Sequence, residues 1–156
     1  MFRSLLAASA IVVACTTTAF AGDYDPMSRP DMVAMGVGLP TLLSASYERR
    51  VSPRSALGVH AGLGLLSTVG IYGRYYPVPG NRIDPFVQVN VGWCSKLELH
   101  YSPKTYTTGL DVGLRLVSAE GFTVSARTGV IVPFDGDVDM VRPVFSTTSL
   151  QVGHSF

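Results

Sequence analysis

Residues Ser55 to Leu65 alternate strictly, with Leu57, Val59, Ala61, Leu63 and Leu65 on one side of an extended chain and Ala56, Gly58, His60, Gly62 and Gly64 on the other. One face is greasy and the other is small or polar. Three more segments repeat this pattern. In Ile83 to Trp93, Ile83, Val87, Val89, Val91 and Trp93 oppose Asp84, Phe86, Gln88, Asn90 and Gly92. In Tyr106 to Val117, Leu110, Val112, Leu114 and Leu116 oppose Gly109, Asp111, Gly113 and Arg115. In Phe122 to Val132, Phe122, Val124, Ala126, Val130 and Val132 oppose Thr123, Ser125, Arg127 and Gly129. No window carries a convincing 3.6-residue apolar stripe, so strands are predicted throughout.

Four less regular segments complete the set. Met32 to Leu39 and Leu42 to Val51 are separated by the Pro40-Thr41 step. Ser67 to Pro77 sets Val69, Ile71, Gly73 and Tyr75 against Gly70, Tyr72, Arg74 and Tyr76, and the last segment runs from about Val144 to Phe156. The total is eight, an even number, as an antiparallel bacterial membrane barrel requires. The four clean segments match the roughly 9 to 11 residues of a tilted membrane-spanning strand. The predicted fold is an all-β, eight-stranded antiparallel transmembrane β-barrel over residues 32–156.

The links are asymmetric. Val51 to Ser55, Pro77 to Arg82 and Ser118 to Gly121 read as periplasmic turns. On the other rim the links at Cys94 to Thr105 and Pro133 to Pro143 are longer, while those near Pro40 and Leu66 are very short. Aromatics at Tyr47, Tyr75, Trp93, Tyr106, Phe122 and Phe156 are expected near the strand ends, as membrane-interface anchors.

Ahead of the strands, Arg3 is the only charge in residues 1–22, and it precedes the apolar run Leu5 to Ala14. That run is too short to span a bilayer as a helix and has the size of a signal-peptide core. Ala19-Phe20-Ala21 then supplies a small-x-small site, so residues 1–21 read as a signal peptide cleaved before Gly22. Val12-Val13-Ala14-Cys15 offers a competing cut, a loose lipobox that would leave a lipidated Cys15. Residues 22–31 have no periodicity and contain Pro26 and Pro30, and read as an extended leader.

Composition narrows the compartment. Hydrophobic residues make up 47% of the chain but charged residues only 15%, well below an ordinary soluble surface. The formal charge is +1, and it falls to zero once Arg3 leaves with the signal peptide. No basic field for nucleic acid exists. Cys94 would be the only cysteine left after cleavage, so no intramolecular disulfide framework is expected, and beside Trp93 it reads as a small apolar filler.

If the greasy phase faces lipid, the opposite phase fills the barrel. It contains Glu48, Arg50, His60, Arg74, Asp84, Asp111, Arg115 and Arg127, with Gln88, Asn90, Thr123, Ser125, Thr147, Ser149 and Gln151. Charges in such a place must be paired and hydrogen-bonded, and an eight-stranded barrel is filled by side chains. The set therefore reads as a structural plug. Inward glycines (Gly58, Gly62, Gly64, Gly92, Gly109, Gly113, Gly129 and Gly153) are expected to make room for tyrosine and arginine from other strands.

The chain ends Thr148-Ser149-Leu150-Gln151-Val152-Gly153-His154-Ser155-Phe156. In Leu150, Val152 and the final Phe156 it resembles bacterial outer-membrane β-barrel proteins, and in architecture the small OmpA-like and OmpX-like barrels. The resemblance implies the outer membrane of a Gram-negative bacterium, contact with outer-membrane lipid, use of the barrel assembly machinery and a monomer. It implies no single activity.

Candidate chemistry is sparse. His100-Tyr101-Ser102 resembles the His-x-Ser pair of the outer-membrane lipid A deacylases, with Glu98 or Glu120 as the carboxylate, but Pro103 replaces the asparagine that follows the serine there. Asp135, Asp137 and Asp139 place oxygen ligands at alternate positions without the twelve-residue calcium-loop pattern. His60, His100 and His154 lack metal-ligand spacing, and no phosphate-binding glycine loop is present. No catalytic, cofactor-binding or metal-ligating residue is assigned, and no cofactor is expected. The main expectation is a non-enzymatic structural or surface-associated barrel. The alternatives are a soluble periplasmic barrel binding an apolar ligand and a lipid hydrolase built on His100 and Ser102.

Overall fold

In the computed structural model, which describes residues 25–96, 105–134 and 144–156, the alternating segments are eight strands. They are β1 (Asp31–Leu39), β2 (Leu43–Ser52), β3 (Ser55–Leu63), β4 (Leu66–Tyr75), β5 (Ile83–Lys96), β6 (Thr105–Val117), β7 (Phe122–Phe134) and β8 (Phe145–Ser155). Each pairs antiparallel with its neighbours in sequence, and β8 pairs with β1 to close the barrel. Among the described residues no helix is long and apolar enough to cross a membrane, which leaves strand crossing open.

The Pro40-Thr41 step does separate two strands. Between β3 and β4 the turn falls at Gly64-Leu65, so β3 ends two residues earlier than the alternation suggested. Leu65 stays exposed while Leu66 is buried. β5 and β7 run further than expected. β7 continues through Pro133, which had been read as loop; its pairing with β8 ends at Ile131↔Phe145, and from there only β6 accompanies it. A proline without its N–H is tolerated where one side of a strand is unpaired. Pro85 obeys the same rule, lying before the β4 pairing starts at Tyr75↔Val87.

Residues 25–30 turn rather than run extended. The Asp25 carboxylate accepts the Met27 N–H at 2.9 Å, and the Asp25 carbonyl accepts that of Ser28 at 3.2 Å. Pro26 is buried, and the Pro30 carbonyl accepts the Arg50 N–H at 2.7 Å, which fastens this segment to the end of the barrel where the short turns lie. The signal sequence, Cys15 and Gly22 lie outside the described residues.

Outside and inside are inverted relative to a soluble protein. Met35, Ile71 and Leu57 are 70%, 64% and 60% exposed, whereas Glu48, Asp84 and Gln88 are fully buried. Apolar exposure continuous around a barrel is the surface a bilayer would cover. At the loop end Trp93, Tyr106 and Phe134 form a row with ring centroids 6.2 and 6.0 Å apart. Tyr75, Phe122 and Phe156 are exposed toward the turn end. Tyr47 belongs to neither rim: it is mid-strand, paired with Val33 and Val59, and its hydroxyl donates to Asp31 at 2.5 Å.

Candidate functional site

The inward positions of the eight strands define the site, because period two puts every second side chain into the lumen. At the turn end β2 contributes Glu48 and Arg50, β4 Arg74 and Tyr76 just beyond it, β5 Asp84 and Phe86, and β6 Arg115. Arg50 Nη2 donates to Asp84 Oδ2 at 2.5 Å, and Arg115 Nη2 donates to the same oxygen at 3.1 Å. The other end of the Arg115 fork donates to Glu48 Oε1 at 3.0 Å, and Arg74 Nη1 lies 2.7 Å from Glu48 Oε2. Arg115 thus bridges two carboxylates on different strands, as a planar five-donor fork allows.

Aromatic faces complete the packing of these cations. The Arg50 and Arg115 guanidiniums lie 3.8 and 4.7 Å from the centre of the Tyr76 ring, and Arg74 lies 4.1 Å from that of Phe86. The Tyr76 hydroxyl donates to Glu48 at 2.7 Å and the residue is fully buried. Each desolvated cation–π contact contributes about 1–2 kcal/mol. Sequence reasoning placed Tyr76 in the inward phase but missed this role; the signal was three arginines sharing a phase with Tyr72, Tyr76 and Phe86.

Two glycines make this packing possible. A Cβ on Gly58 would collide with the Tyr72 ring, and one on Gly113 would lie 2.5 Å from the Phe86 ring. The expectation that inward glycines make room for tyrosine and arginine holds at Gly58, beside Tyr72; at Gly113 the ring is Phe86, with Arg127 next to it. It does not hold at Gly62, Gly64, Gly92, Gly109, Gly129 and Gly153, where the three nearest atoms belong to neither tyrosine nor arginine.

Gln88 connects the two ends. Its carbonyl oxygen accepts Arg74 Nε at 3.0 Å and Nη2 at 2.6 Å, while its amide nitrogen points to Asp111 Oδ2 at 3.4 Å. Asp111 also accepts Asn90 Nδ2 at 3.0 Å and the Thr147 hydroxyl at 2.6 Å. Arg127 stands 3.9 Å from Asp111 and donates Nε to the Ser149 hydroxyl at 2.8 Å. The seven predicted charges are therefore all inward, but they form a tight group of five and a looser pair. A cavity of about 40 Å³ lies at the loop end beside the pair, with Thr41, Ser44, His60 and Thr68 also in its wall.

The remaining candidates are dispersed. His60 faces inward, its ring centroid 6.0 Å from that of Tyr72, and His154 is exposed on the outer face of β8. His100, Ser102 and Glu98 lie outside the described residues, as do Asp135, Asp137 and Asp139. Glu120 is exposed in the β6–β7 turn, at the opposite end of the barrel from Lys96 and Thr105, where β5 ends and β6 begins. Among the described residues no group of acidic, histidine or cysteine side chains forms a metal cluster. Cys94 is a half-buried free thiol. A barrel for an apolar ligand needs a greasy lumen, and this lumen is charged and closely filled.

These features define an eight-stranded barrel of the transmembrane type, apolar outside and ion-paired within. No protein-family model and no curated protein sequence matches the chain. Solved structures do. The N-terminal β-barrel domain of Pseudomonas aeruginosa OprF is 12% identical with a TM-score of 0.59, the match covering 81% of this chain and 95% of that one. Neisserial surface protein A is 13% identical with a TM-score of 0.53, over 81% and 94% of the two chains. A de novo designed transmembrane β-barrel is 15% identical with a TM-score of 0.54, over 86% and 100%. At such identities the likeness is one of fold. That a designed barrel shares the fold makes the same point: alternation and closure specify it without specifying an activity.

Proposed function

We propose that the chain is a non-enzymatic structural or surface-associated barrel of the outer membrane of a Gram-negative bacterium. In this reading residues 1–21 are removed on export, the barrel assembly machinery inserts the rest, and the mature protein is a monomer surrounded by lipid. The observation that carries the reading is the inverted pattern, with Met35, Leu57 and Ile71 exposed and Glu48, Asp84 and Arg115 buried. An apolar exterior of this extent is unfavourable in water and favourable in hydrocarbon. The group of five charges fills the lumen where a channel would have to pass, so the barrel is proposed not to conduct.

N-terminal sequencing, membrane fractionation and planar-bilayer recording test it together. The expected mature chain begins at Gly22, fractionates with the outer membrane and gives conductance near background. Recovery as a soluble periplasmic protein would remove the membrane reading. A lipidated Cys15 would replace the cleavage site, and large stable conductance that changes selectivity in Arg115→Ala would turn the plug into a pore lining.

A further inference from the structure

Among the described residues one ion pair lies on the outer wall rather than in the lumen. Asp31 opens β1 and Arg49 stands directly across from it on β2, with side chains 20% and 63% exposed. Arg49 Nη1 is 3.8 Å from Asp31 Oδ1, beyond hydrogen-bond reach, and the same oxygen accepts the Tyr47 hydroxyl at 2.5 Å. Tyr47 therefore holds the carboxylate while the guanidinium is only loosely engaged. The pair sits at the turn end, where the Asp31 N–H donates to the carbonyl of the exposed Phe156 at 3.1 Å.

Beside this pair the wall is low. The outward row that begins with Asp31 and Arg49 continues through Leu57 to Gly73. A Cβ on Gly73 would meet only Leu57 Cδ2, at 3.9 Å, so the place of a side chain there is open. A depression of about 600 Å³ lies over it, with Arg49, Tyr47 and Val89 in its wall. It adjoins a second of about 650 Å³, bounded by Trp93 and Tyr106 and lined by the small side chains of Ala45 and Ala61. Tyr47, Val59, Ile71 and Val91 border both, which makes one apolar trough with an ion pair at its turn end. Lipid tails are as apolar as such a wall, so the trough alone takes any chain without preference. Selection falls to the charges. The pair is neutral overall: an anionic headgroup that gained Arg49 would also meet Asp31, whereas a zwitterion answers both, as charges beside hydrocarbon require.

We propose that this trough binds one phospholipid with a zwitterionic, primary-amine headgroup. The lipid phosphate accepts from Arg49, the ammonium donates to Asp31, and an acyl chain lies over Gly73 toward Ala61. A primary ammonium brings three donors to the carboxylate, which a quaternary one lacks. The inference rests on the membrane reading above and names the lipid class which that reading leaves open.

The test places the mature chain in detergent micelles with dioleoyl phosphatidylethanolamine, phosphatidylcholine or phosphatidylglycerol added. Native mass spectrometry then reads the fraction of barrels that keep one lipid after the micelle is stripped. The ethanolamine lipid is expected to be retained about tenfold more than either of the others, the effect of one charge-assisted hydrogen bond. Arg49→Gln and Asp31→Asn should each remove that preference, and Gly73→Leu, which fills the trough, should lower retention of all the lipids. Arg54→Gln, at an exposed arginine of the β2–β3 turn, should change neither. Equal retention of the lipids, or a preference that survives both Arg49→Gln and Asp31→Asn, would overturn the site. A preference for the glycerol lipid would show Arg49 acting as a bare cation and overturn the part given to Asp31. A chain that stays in solution without detergent would remove the membrane reading and this inference with it, whereas a detergent-requiring barrel without lipid preference would overturn this inference alone.

Discussion

At the turn end of the lumen, Arg50, Arg74 and Arg115 share Glu48 and Asp84 at 2.5 to 3.1 Å, with Arg50 and Arg115 against the ring of a fully buried Tyr76 and Arg74 against that of Phe86. Further along the same barrel, Asp111 and Arg127 stand 3.9 Å apart among hydroxyls and amides beside a cavity. Both ends follow the same alternation, and both place charge inside a wall whose outer face is apolar. They differ in how each charge is satisfied. At the turn end three arginines converge on two carboxylates, with aromatic faces against the guanidiniums. At the loop end Asp111 is held by neutral donors, and Arg127 stands further off and is partly exposed. The first arrangement is tight and the second loose, so the cost of removing a charge is expected to fall along the barrel axis.

Mutations at the turn end should have the largest effect. Glu48→Ala removes the carboxylate shared by Arg74, Arg115 and the Tyr76 hydroxyl, and should cost about 3–5 kcal/mol as an uncompensated buried charge. Urea unfolding in lipid vesicles, or the temperature at which the folded band shifts on a gel, measures it. A loss below about 1 kcal/mol would mean that solvent reaches the group of five and that the two ends are not distinct.

Next come substitutions that test the common wall. Val89→Arg or Leu114→Arg should cost about 2–4 kcal/mol near the membrane midplane. Single cysteines at Val89 and Val124 should react with a lipid-soluble reagent, and cysteines at Gln88 and Ser125 should not. The reverse labelling would exchange inside and outside, and both lumenal groups would fall together.

Asp111→Ala should be milder than Glu48→Ala, at about 1–3 kcal/mol, because it strands neutral donors and a partly exposed Arg127 rather than tightly buried cations. An equal or larger loss in the same unfolding assay would erase the contrast between the two ends. The smallest effect is expected at the link. Gln88 touches both Arg74 and Asp111, so the coupling between Glu48→Ala and Asp111→Ala in a double-mutant cycle should fall from about 1 kcal/mol toward zero when Gln88 is alanine. Coupling that persists would mean the ends communicate through some other route.

Much of this was legible in the chain because period two is a local property. Leu57 and Gly58, or Leu114 and Arg115, declare their faces without knowledge of any partner, and the count of eight follows from the segments alone. The inward charge list follows equally. The pairings do not, since they depend on how far each strand is staggered around the barrel: nothing in sequence says that Arg115 meets Glu48, 67 positions away. Tyr76 was placed inward by its phase, but its contacts with Arg50, Arg115 and Glu48 come from other strands and depend on stagger, which spacing along one segment does not carry. Tyr47 was misplaced because its hydroxyl reaches Asp31 from a mid-strand backbone, and spacing from a strand end cannot reveal such a reach. The turn at Asp25 to Pro30 was hidden because one side-chain acceptor and a proline decide it, with no periodicity to read.

Among the inward positions of β1 are Met32, Ala34, Gly36 and Gly38, and it brings no charged side chain to the lumen. Yet β1 closes the circle with β8, from Met32↔Ser155 to Leu39↔Thr148. Seven of the pairings join neighbours along the chain, whereas this one joins its far ends. Made first, from an unfolded chain, it would cost about 3 kcal/mol more in chain entropy than a hairpin, since the enclosed loop is roughly thirty times longer. Made last, after seven hairpins have curled the sheet, it costs almost none. A strand without charged lumenal side chains suits that order, because it docks by backbone hydrogen bonds and uncharged side chains without threading a guanidinium past a carboxylate. The same economy makes β1 the easiest strand to peel away, so its amides should exchange with solvent ahead of those in β2, β5 and β6, where the ion pairs are anchored.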